Sequence, residues 1–235
     1  MADYIHKDLT GNSIDLPVGK VLCVGRNYLD HIVEMGGSQG TSPKKGSPVL
    51  FMKPKTALCD FSETLSIPND RGECHNELEV ALLIGEKLSN ASRESCRHAI
   101  YGVALGLDLT LRDLQNMLKD AGLPWERCKS FDASCPVSPF YLMPKTQTLD
   151  FNFQLSINGE LRQNGDTKYM LWPFLDLLAE ASKEFTIEPG DIVMTGTPKG
   201  VGPLFSGDTI VASLSQQLGS DDQSKEIIRI ETRVC

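Results

Sequence analysis

The stretch HNELEVALLIG at 75–85 constrains the fold most strongly, because it alternates like a β-strand and becomes apolar on both faces. Side chains alternate across a strand, so Glu77 and Glu79 point to the same face, about 6–7 Å apart along it. Solvated glutamates on an open sheet face are one interpretation. However, two carboxylates in an increasingly apolar strand repel each other and lose solvation unless a proton or a cation compensates them.

A third carboxylate, Asp108, occurs in a similar setting in YGVALGLDLT at 101–110. The residues before it on its strand face are Gly or Ala, which would leave room for another group to approach closely. A cap on the following helix is the alternative role, although Thr110 suits that cap better because it resembles a capping box with Asp113. Three carboxylates without a Cys or His cluster favour a hard cation, Mg²⁺ or Mn²⁺, over zinc. The spacing alone suggests this site without establishing it.

Short apolar runs bounded by Gly, Pro, Asn or Asp indicate a mainly β protein. The predicted strands are 20–25, 48–53, 77–85, 100–109, 151–158, 191–195, 209–214 and 226–234. The predicted helices are 27–35, 92–99, 110–121 and 168–183. Asn158-Gly159 is the strongest hairpin signal. The segment 36–48, rich in Gly, Ser, Pro and Lys, is longer than an ordinary connection and predicts a mobile surface loop.

The charge and cysteine content restrict the partners and the compartment. Acidic residues outnumber basic ones by 31 to 23, a net charge of −8, which argues against nucleic acid or an anionic membrane as the main partner. The seven scattered cysteines, without CxxC pairs, predict reduced thiols that are mostly buried, and no signal peptide or membrane span is visible. We therefore expect a cytoplasmic protein. No composition break divides the chain, so we expect one catalytic domain over 1–235, with a short N-terminal arm over about 1–18.

Seven stretches together resemble the fumarylacetoacetate hydrolase superfamily along nearly the whole chain. They are VGRNYLDH at 24–31, PVLFMKP at 48–54, HNELEVALLIG at 75–85, LDLTLRDLQ at 107–115, PWERCKSFDASCPVS at 124–138, NGELRQ at 158–163 and GDIVMTGTPKGVGPL at 190–204. The chain length resembles the single-domain branch of acylpyruvases and oxaloacetate decarboxylases. This resemblance implies a β-rich α+β fold, a mixed β-sandwich or roll with a few peripheral helices, and a homodimer.

The resemblance also assigns a metal site. It implies one Mg²⁺ or Mn²⁺ per subunit, held by Glu77, Glu79 and Asp108. The family usually has a second His where this chain has Asn76. That position faces the core side of the predicted strand, so we expect little effect on metal binding.

His31 and Glu34 are three residues apart, which places them on one face if the segment is helical. A surface ion pair is the ordinary interpretation of such spacing. The resemblance implies instead a catalytic dyad, in which Glu34 orients the imidazole and His31 takes a proton from water. The dyad precedes the 36–48 segment, so we expect that segment to act as a lid.

Arg112 and Gln115 share a face of the helix that follows Asp108, and Lys129 lies shortly beyond that helix. Each would ordinarily be a surface residue. By resemblance, the three supply positive charge and hydrogen bonds to the oxyanion or enolate that develops on the substrate.

The loop TGTPKGVG at 195–202 lacks the Gly-Lys-Ser/Thr of a P-loop and precedes no helical pattern. We interpret it as a tight turn whose backbone and Thr197 hydroxyl hold a substrate carboxylate. Lys53 and Arg26 are weaker candidates for the same substrate pocket.

These assignments predict an enzyme that acts on small β-diketo acids or dicarboxylates. The main hypothesis is metal-dependent C–C hydrolysis of acylpyruvates, such as acetylpyruvate or fumarylpyruvate, or decarboxylation of oxaloacetate through a metal-bound enolate. The alternative is an isomerase, either an oxaloacetate keto–enol tautomerase or a double-bond isomerase of 2-hydroxy-dienedioates. A non-catalytic metal-binding protein is a third hypothesis, which His31, Glu34 and Lys129 argue against.

Overall fold

A computed structural model of the chain describes residues 3–36, 46–144, 147–218 and 223–235. Within these ranges the strands are β1 Val21–Gly25, β2 Val49–Lys53, β3 Leu58–Asp60, β4 Cys74–Asn76, β5 Leu78–Ile84, β6 Ile100–Leu107, β7 Thr110–Leu111, β8 Cys135–Val137, β9 Tyr141–Leu142, β10 Phe151–Ile157, β11 Glu160–Asp166, β12 Ile192–Met194, β13 Gly202–Pro203, β14 Thr209–Gln217 and β15 Ser224–Arg233. The helices are α1 Leu29–Glu34, α2 Arg93–Ala99, α3 Arg112–Asp120, α4 Glu126–Lys129 and α5 Phe174–Glu184.

The largest sheet has the strand order β2-β1-β12-β5-β6-β8-β3, and β9 also pairs with β6. It is mixed, since β1 pairs with β12 and β3 pairs with β8 in parallel, whereas β5 pairs antiparallel with both neighbours. A second, antiparallel sheet has the order β11-β10-β14-β15, and a small third sheet has the order β13-β4-β7. The prediction of a β-rich α+β fold is confirmed.

Strand β5 explains why the sheets stack as they do, because every one of its residues is buried. Its Leu78 face packs into the large core, to which Phe153 of the second sheet also belongs. Its Ala81 face packs into a smaller core, against which residues of the N-terminal arm such as Leu16 are placed. A strand that is covered on both sides reads as apolar on both faces, as its sequence indicated.

The paired strands β4–β5 and β6–β7 are interrupted at matching positions. The chain leaves the small sheet after Asn76, passes Glu77, and enters the large sheet at Leu78. The partner strand leaves the large sheet after Leu107 and enters the small sheet at Thr110, so that Asp108 lies beside Glu77. The Asp108 N–H donates to the Glu77 carbonyl at 2.8 Å. Two carboxylates therefore lie where the chain crosses between sheets.

The eight predicted strands are all present, and the hairpin at Asn158-Gly159 joins β10 to β11 with positive φ at both residues. The predicted helix 168–183 is wrong in its first part, because helix α5 begins only at Phe174, after Pro173. The capping box is also wrong, since Thr110 lies in strand β7 and its hydroxyl donates to the Asp108 carbonyl. The short strands β3, β4, β7, β8, β9 and β13 and helix α4 were not predicted. Most of the predicted loop 36–48, namely 37–45, lies outside the described residues.

All seven cysteines are free, and five of them are buried, as the sequence indicated. The small residues before Asp108 have a packing role. A Cβ atom at Gly106 would lie 2.8 Å from Met194 Sδ, and one at Gly102 would lie 3.1 Å from the Tyr141 carbonyl. The group that approaches closely along this face is therefore the protein itself, namely the Met194 side chain and the Tyr141 backbone.

Candidate active site

Three buried carboxylates converge where β5 and β6 leave the large sheet. Glu77, Glu79 and Asp108 each offer an oxygen atom, and these atoms all lie within 4.8 Å of one another. None of the three side chains is more than slightly exposed. Such a concentration of like charge inside a protein requires compensation by cations, protons or hydrogen bonds.

The amide of Gln163, on β11 of the second sheet, holds the chain at the Glu77 interruption. Its Oε1 accepts from the Leu78 N–H at 2.8 Å and from Asn76 Nδ2 at 2.9 Å. Its Nε2 donates to Thr197 Oγ1 at 2.8 Å. The Gln163 side chain thus takes the place of a sheet partner for the Leu78 backbone and also holds the Asn76 side chain, which fixes the chain on both sides of Glu77.

The turn after β12 binds Glu79 through its backbone. The Gly196 N–H donates to Glu79 Oε2 at 2.6 Å. Gly196 has φ 96°, and a Cβ atom there would lie 2.6 Å from Asn27 Cβ, so this position requires glycine. The backbone of this loop, which was expected to hold a substrate carboxylate, thus binds the carboxylate of Glu79.

Three cationic side chains compensate the other two carboxylates. Lys129 Nζ donates to Glu77 Oε2 at 2.7 Å and to Asp108 Oδ2 at 2.5 Å. Arg112 donates to Glu77 Oε1, and Lys53 Nζ lies 2.8 Å from Asp108 Oδ1. Burial alone would raise the pKa of Glu77, but Lys129 and Arg112 outweigh it and hold that pKa well below its usual range. Burial lowers the pKa of Lys129, and Asp108 and Glu77 more than reverse this, so its ammonium stays charged.

Glu79 differs from the other two carboxylates. Within the described part of the chain it makes no ion pair, and burial followed by the negative charge of Asp108 raises its pKa well above the usual value. An additional cation among the three carboxylates would relieve this. Buried carboxylate oxygens are hard donors, so the residues present fit Mg²⁺ or Mn²⁺.

A cleft beside the cluster is lined by residues of α1, α3 and α4 and by the chain after β1. Its polar lining residues are Arg26, His31, Glu77, Arg112, Gln115, Lys119 and Lys129. The structure thus brings together the predicted dyad base, one predicted metal ligand and most of the predicted substrate contacts.

The His31 imidazole is buried and faces Glu34 one helical turn away. His31 Nδ1 and Glu34 Oε2 are 3.4 Å apart, and Glu34 Oε1 accepts from the Gly200 N–H at 2.9 Å. Burial lowers the pKa of His31, and the carboxylates of Glu77 and Glu34 offset this only partly. The imidazole is therefore neutral near pH 7 and can accept a proton.

Two predicted substrate contacts do not line the cleft. Lys53 is fully buried beneath Asp108, and its ammonium also donates to Ser134 O and Ser134 Oγ, each at 3.1 Å. Thr197 Oγ1 donates to the Leu78 carbonyl at 2.9 Å and accepts from Gln163, so its hydroxyl is already occupied. Lys53 thus stabilises Asp108, and Thr197 stabilises the chain at Leu78, without lining the cleft.

Sequence reasoning missed Gln163, Ser134 and Lys119. Gln163 and Ser134 lie within stretches that carry the family resemblance, but no periodicity marks them, because their partners are distant in sequence. Lys119 did carry a periodic signal, since it follows Gln115 by four residues and so lies on the same helical face as Arg112 and Gln115.

Comparison with known proteins finds a matching family and several similar proteins. The fumarylacetoacetate (FAA) hydrolase C-terminal family matches residues 20–234. An oxaloacetate tautomerase of Escherichia coli is 49% identical over 216 residues, which cover 89% of this chain and 94% of that protein. A mitochondrial oxaloacetate tautomerase of Bos taurus is 43% identical over 197 residues, which cover 83% of this chain and 86% of that protein.

Among solved structures, a fumarylpyruvate hydrolase from Pseudomonas aeruginosa, in complex with Mn²⁺ and pyruvate, superposes with a TM-score of 0.85. It is 32% identical, and the alignment covers 100% of this chain and 96% of that one.

Proposed function

Since the chain belongs to the fumarylacetoacetate hydrolase family, we propose that it is an isomerase that interconverts the keto and enol forms of oxaloacetate. The observation that carries the proposal is the likeness, over most of both chains, to oxaloacetate tautomerases of a bacterium and an animal. It favours the isomerase alternative over acylpyruvate hydrolysis and oxaloacetate decarboxylation, which the sequence interpretation placed first.

We propose that Glu77, Glu79 and Asp108 hold one divalent cation, Mg²⁺ or Mn²⁺. When bound, such a cation polarises the 2-oxo group of a substrate and so favours loss of a proton from the neighbouring carbon. The proposal is supported by the three buried oxygen donors and by the raised pKa of Glu79, which marks a shortage of positive charge at that carboxylate. The Mn²⁺ in the similar hydrolase structure also supports it.

Keto–enol conversion needs a base that moves one proton. In the keto-to-enol direction, His31 Nε2 takes a proton from C3, the electron pair of the C–H bond forms the C2–C3 double bond, and the π pair of the C2 carbonyl moves onto its oxygen. A proton then returns to the oxygen on C2, and the reverse sequence restores the keto form. His31 suits this role because its imidazole is neutral and lines the cleft, while Nδ1 faces Glu34.

Arg112, Gln115 and Lys129 are proposed to hold the substrate oxygens in the cleft. Arg112 donates to Gln115 Oε1 as well as to Glu77, so helix α3 presents an amide and a guanidinium in fixed orientation. Negative charge that develops on the C2 oxygen lies beside a preorganised positive field, which lowers the barrier without rearrangement of the side chains.

The decisive experiment follows enol oxaloacetate by its ultraviolet absorbance in the presence of Mg²⁺ or Mn²⁺, with pyruvate measured in the same samples. A tautomerase accelerates loss of the enol without forming pyruvate. Stoichiometric pyruvate would instead identify a decarboxylase and contradict the proposal. The E77Q variant serves as a control, because it removes one proposed metal ligand and should abolish the acceleration.

Hydrolysis of an acylpyruvate is the second candidate, and the fumarylpyruvate hydrolase structure favours it. The His31–Glu34 pair would then activate water. Release of pyruvate from acetylpyruvate or fumarylpyruvate, at a rate above that of enol conversion, would establish this activity in place of the first.

Some broader expectations stay predictions. These are the single catalytic domain over 1–235, the homodimer, the cytoplasmic location and the absence of nucleic-acid and membrane partners. Among the residues that the structure describes, no helix is both long and apolar enough to cross a bilayer.

A further inference from the structure

Two cations at the cleft have no carboxylate partner among the residues that the structure describes. Lys53, Lys129 and Arg112 all contact carboxylates of the cluster. Arg26, in contrast, makes no hydrogen bond or ion pair within the described residues, and Lys119 donates only to the neutral Gln115 Oε1, at 3.2 Å. The inner cations are therefore compensated, whereas the outer two remain open to a ligand.

Arg26 and Lys119 line the same cleft, although they belong to different parts of the fold. Arg26 directly follows β1, and Lys119 lies in the last turn of α3, with its Nζ 5.6 Å from the centre of the Trp125 ring. Burial lowers the pKa of Lys119, the positive charges of Arg112, Lys129 and Arg26 lower it further, and the negative charge of Glu77 offsets this only partly. The surroundings of Lys119 thus have excess positive charge, which an anion between the two side chains would relieve.

The backbone of Arg26 is held in an unusual conformation. Its φ is 60°, in the left-handed region that side chains other than Gly, Asn and Asp rarely adopt. The next residue is fixed, because Asn27 accepts from the Trp172 N–H at 2.7 Å and donates to the Thr195 carbonyl at 2.8 Å. Strained backbone of this kind persists where the surroundings impose it, and it is concentrated at functional sites. Here it places a guanidinium in the wall of the cleft.

We propose that Arg26 and Lys119 bind the second carboxylate of the substrate, so that the cleft selects 2-oxo dicarboxylic acids over 2-oxo monocarboxylic acids. The inference rests on the proposed function, in which the 2-oxo acid end lies against Glu77, Arg112 and Lys129. The planar guanidinium of Arg26 can bind a carboxylate through two parallel hydrogen bonds, and Lys119 adds a mobile point charge.

The test compares the binding of malate with that of lactate, two stable ligands that differ by one carboxylate. Binding of each to the full chain loaded with Mn²⁺ is measured by calorimetry for the wild type and two variants, Arg26→Asn and Lys119→Gln. Asparagine tolerates the left-handed backbone, so the first variant removes charge without adding strain. Lys183→Gln, which removes an exposed cation on α5, is the matched control.

The wild type should bind malate at least tenfold more tightly than lactate. Each cleft variant should weaken malate binding about tenfold, the size expected for one charged hydrogen bond, and change lactate binding less than twofold. Lys183→Gln should change neither. Equal loss of both ligands, or unchanged malate binding in both variants, would overturn the inference.

The outcome is separable from that of the proposed function. A chain that lacks enol conversion but loses malate selectivity in both variants still has the second-carboxylate site. A chain that converts enol oxaloacetate but retains full malate selectivity in both variants has the activity without this site.

Discussion

Replacing Lys53 with Met should destabilise the protein far more than the same replacement at its surface. Lys53 is fully buried, and its ammonium supports Asp108 and the backbone around Ser134. Methionine has a similar volume and no charge, so packing is retained while the cation is removed. The experiment therefore isolates the electrostatic role of one buried side chain.

The magnitude follows from the partners that remain. Removing one member of a buried ion pair costs roughly 3–5 kcal/mol, because the other charge stays buried. Asp108 keeps Lys129 through Oδ2 at 2.5 Å, which places the expected loss at the lower end, about 3 kcal/mol. For a chain of this length that corresponds to a decrease in Tm of about 6–12 °C.

Equilibrium unfolding in urea, followed by circular dichroism in metal-free buffer, measures this loss. The control is Lys183→Met, since Lys183 forms an exposed pair with Glu180 and should lose less than about 1 kcal/mol. A double-mutant cycle with Asp108→Asn should show a coupling of about 1.5 kcal/mol or more, because the neutral amide no longer needs the cation. If K53M matches K183M, or if the cycle is additive, the buried pair does not have the stabilising role inferred for it.

Three further predictions concern the site and the N-terminal arm. His31→Ala should reduce enol conversion roughly 10²–10⁴-fold. Burial lowers the pKa of His31, so kcat/KM of the wild type should decline only as the pH falls below the usual His value. Loss of activity on raising the pH from 6 to 8 would contradict this. Gly196→Ala should displace the N–H that binds Glu79 and weaken Mn²⁺ binding about 10–100-fold by calorimetry; wild-type affinity would show that this backbone contact is dispensable. Burial also lowers the pKa of His6, so its contribution to stability is complete above about pH 6.5 and is lost as the pH falls through the folded-state pKa. His6→Gln should therefore show a flatter dependence of the urea midpoint on pH between 7 and 5, and an unchanged slope would exclude His6 as its source.

Strand alternation and helical spacing in the sequence predicted which side chains of the candidate site share a face. The convergence of Glu77 and Glu79 and the common face of Arg112 and Gln115 follow from these periodicities. In both cases the residues that matter are close together in sequence, so their spacing carries the information.

The supporting residues could not be predicted in this way. Gln163 binds the Leu78 N–H across 85 positions of sequence, and Lys53 reaches Ser134 across 81. Neither contact leaves a periodic trace, and a lysine in a half-exposed strand reads as a surface residue. The start of α5 was placed too early because apolar residues before Pro173 imitate the helical period, although no helix continues back through that position.

The hydrogen bond from the Leu78 N–H to the Gln163 side chain divides the backbone amide protons near Glu77 into two groups, which should exchange with deuterium at different rates. The amides in the middle of β5 are bonded to strands on both sides and are fully buried, so they should exchange with deuterium only when the whole protein unfolds. The Leu78 amide is protected by one side-chain oxygen, and rotation of that side chain would release it alone. The residue next to Glu77 should thus exchange faster than its neighbours in the strand. Added Mn²⁺ should slow that single amide more than any in the middle of β5, so deuterium uptake at Leu78 would report occupancy of the carboxylate cluster without any substrate.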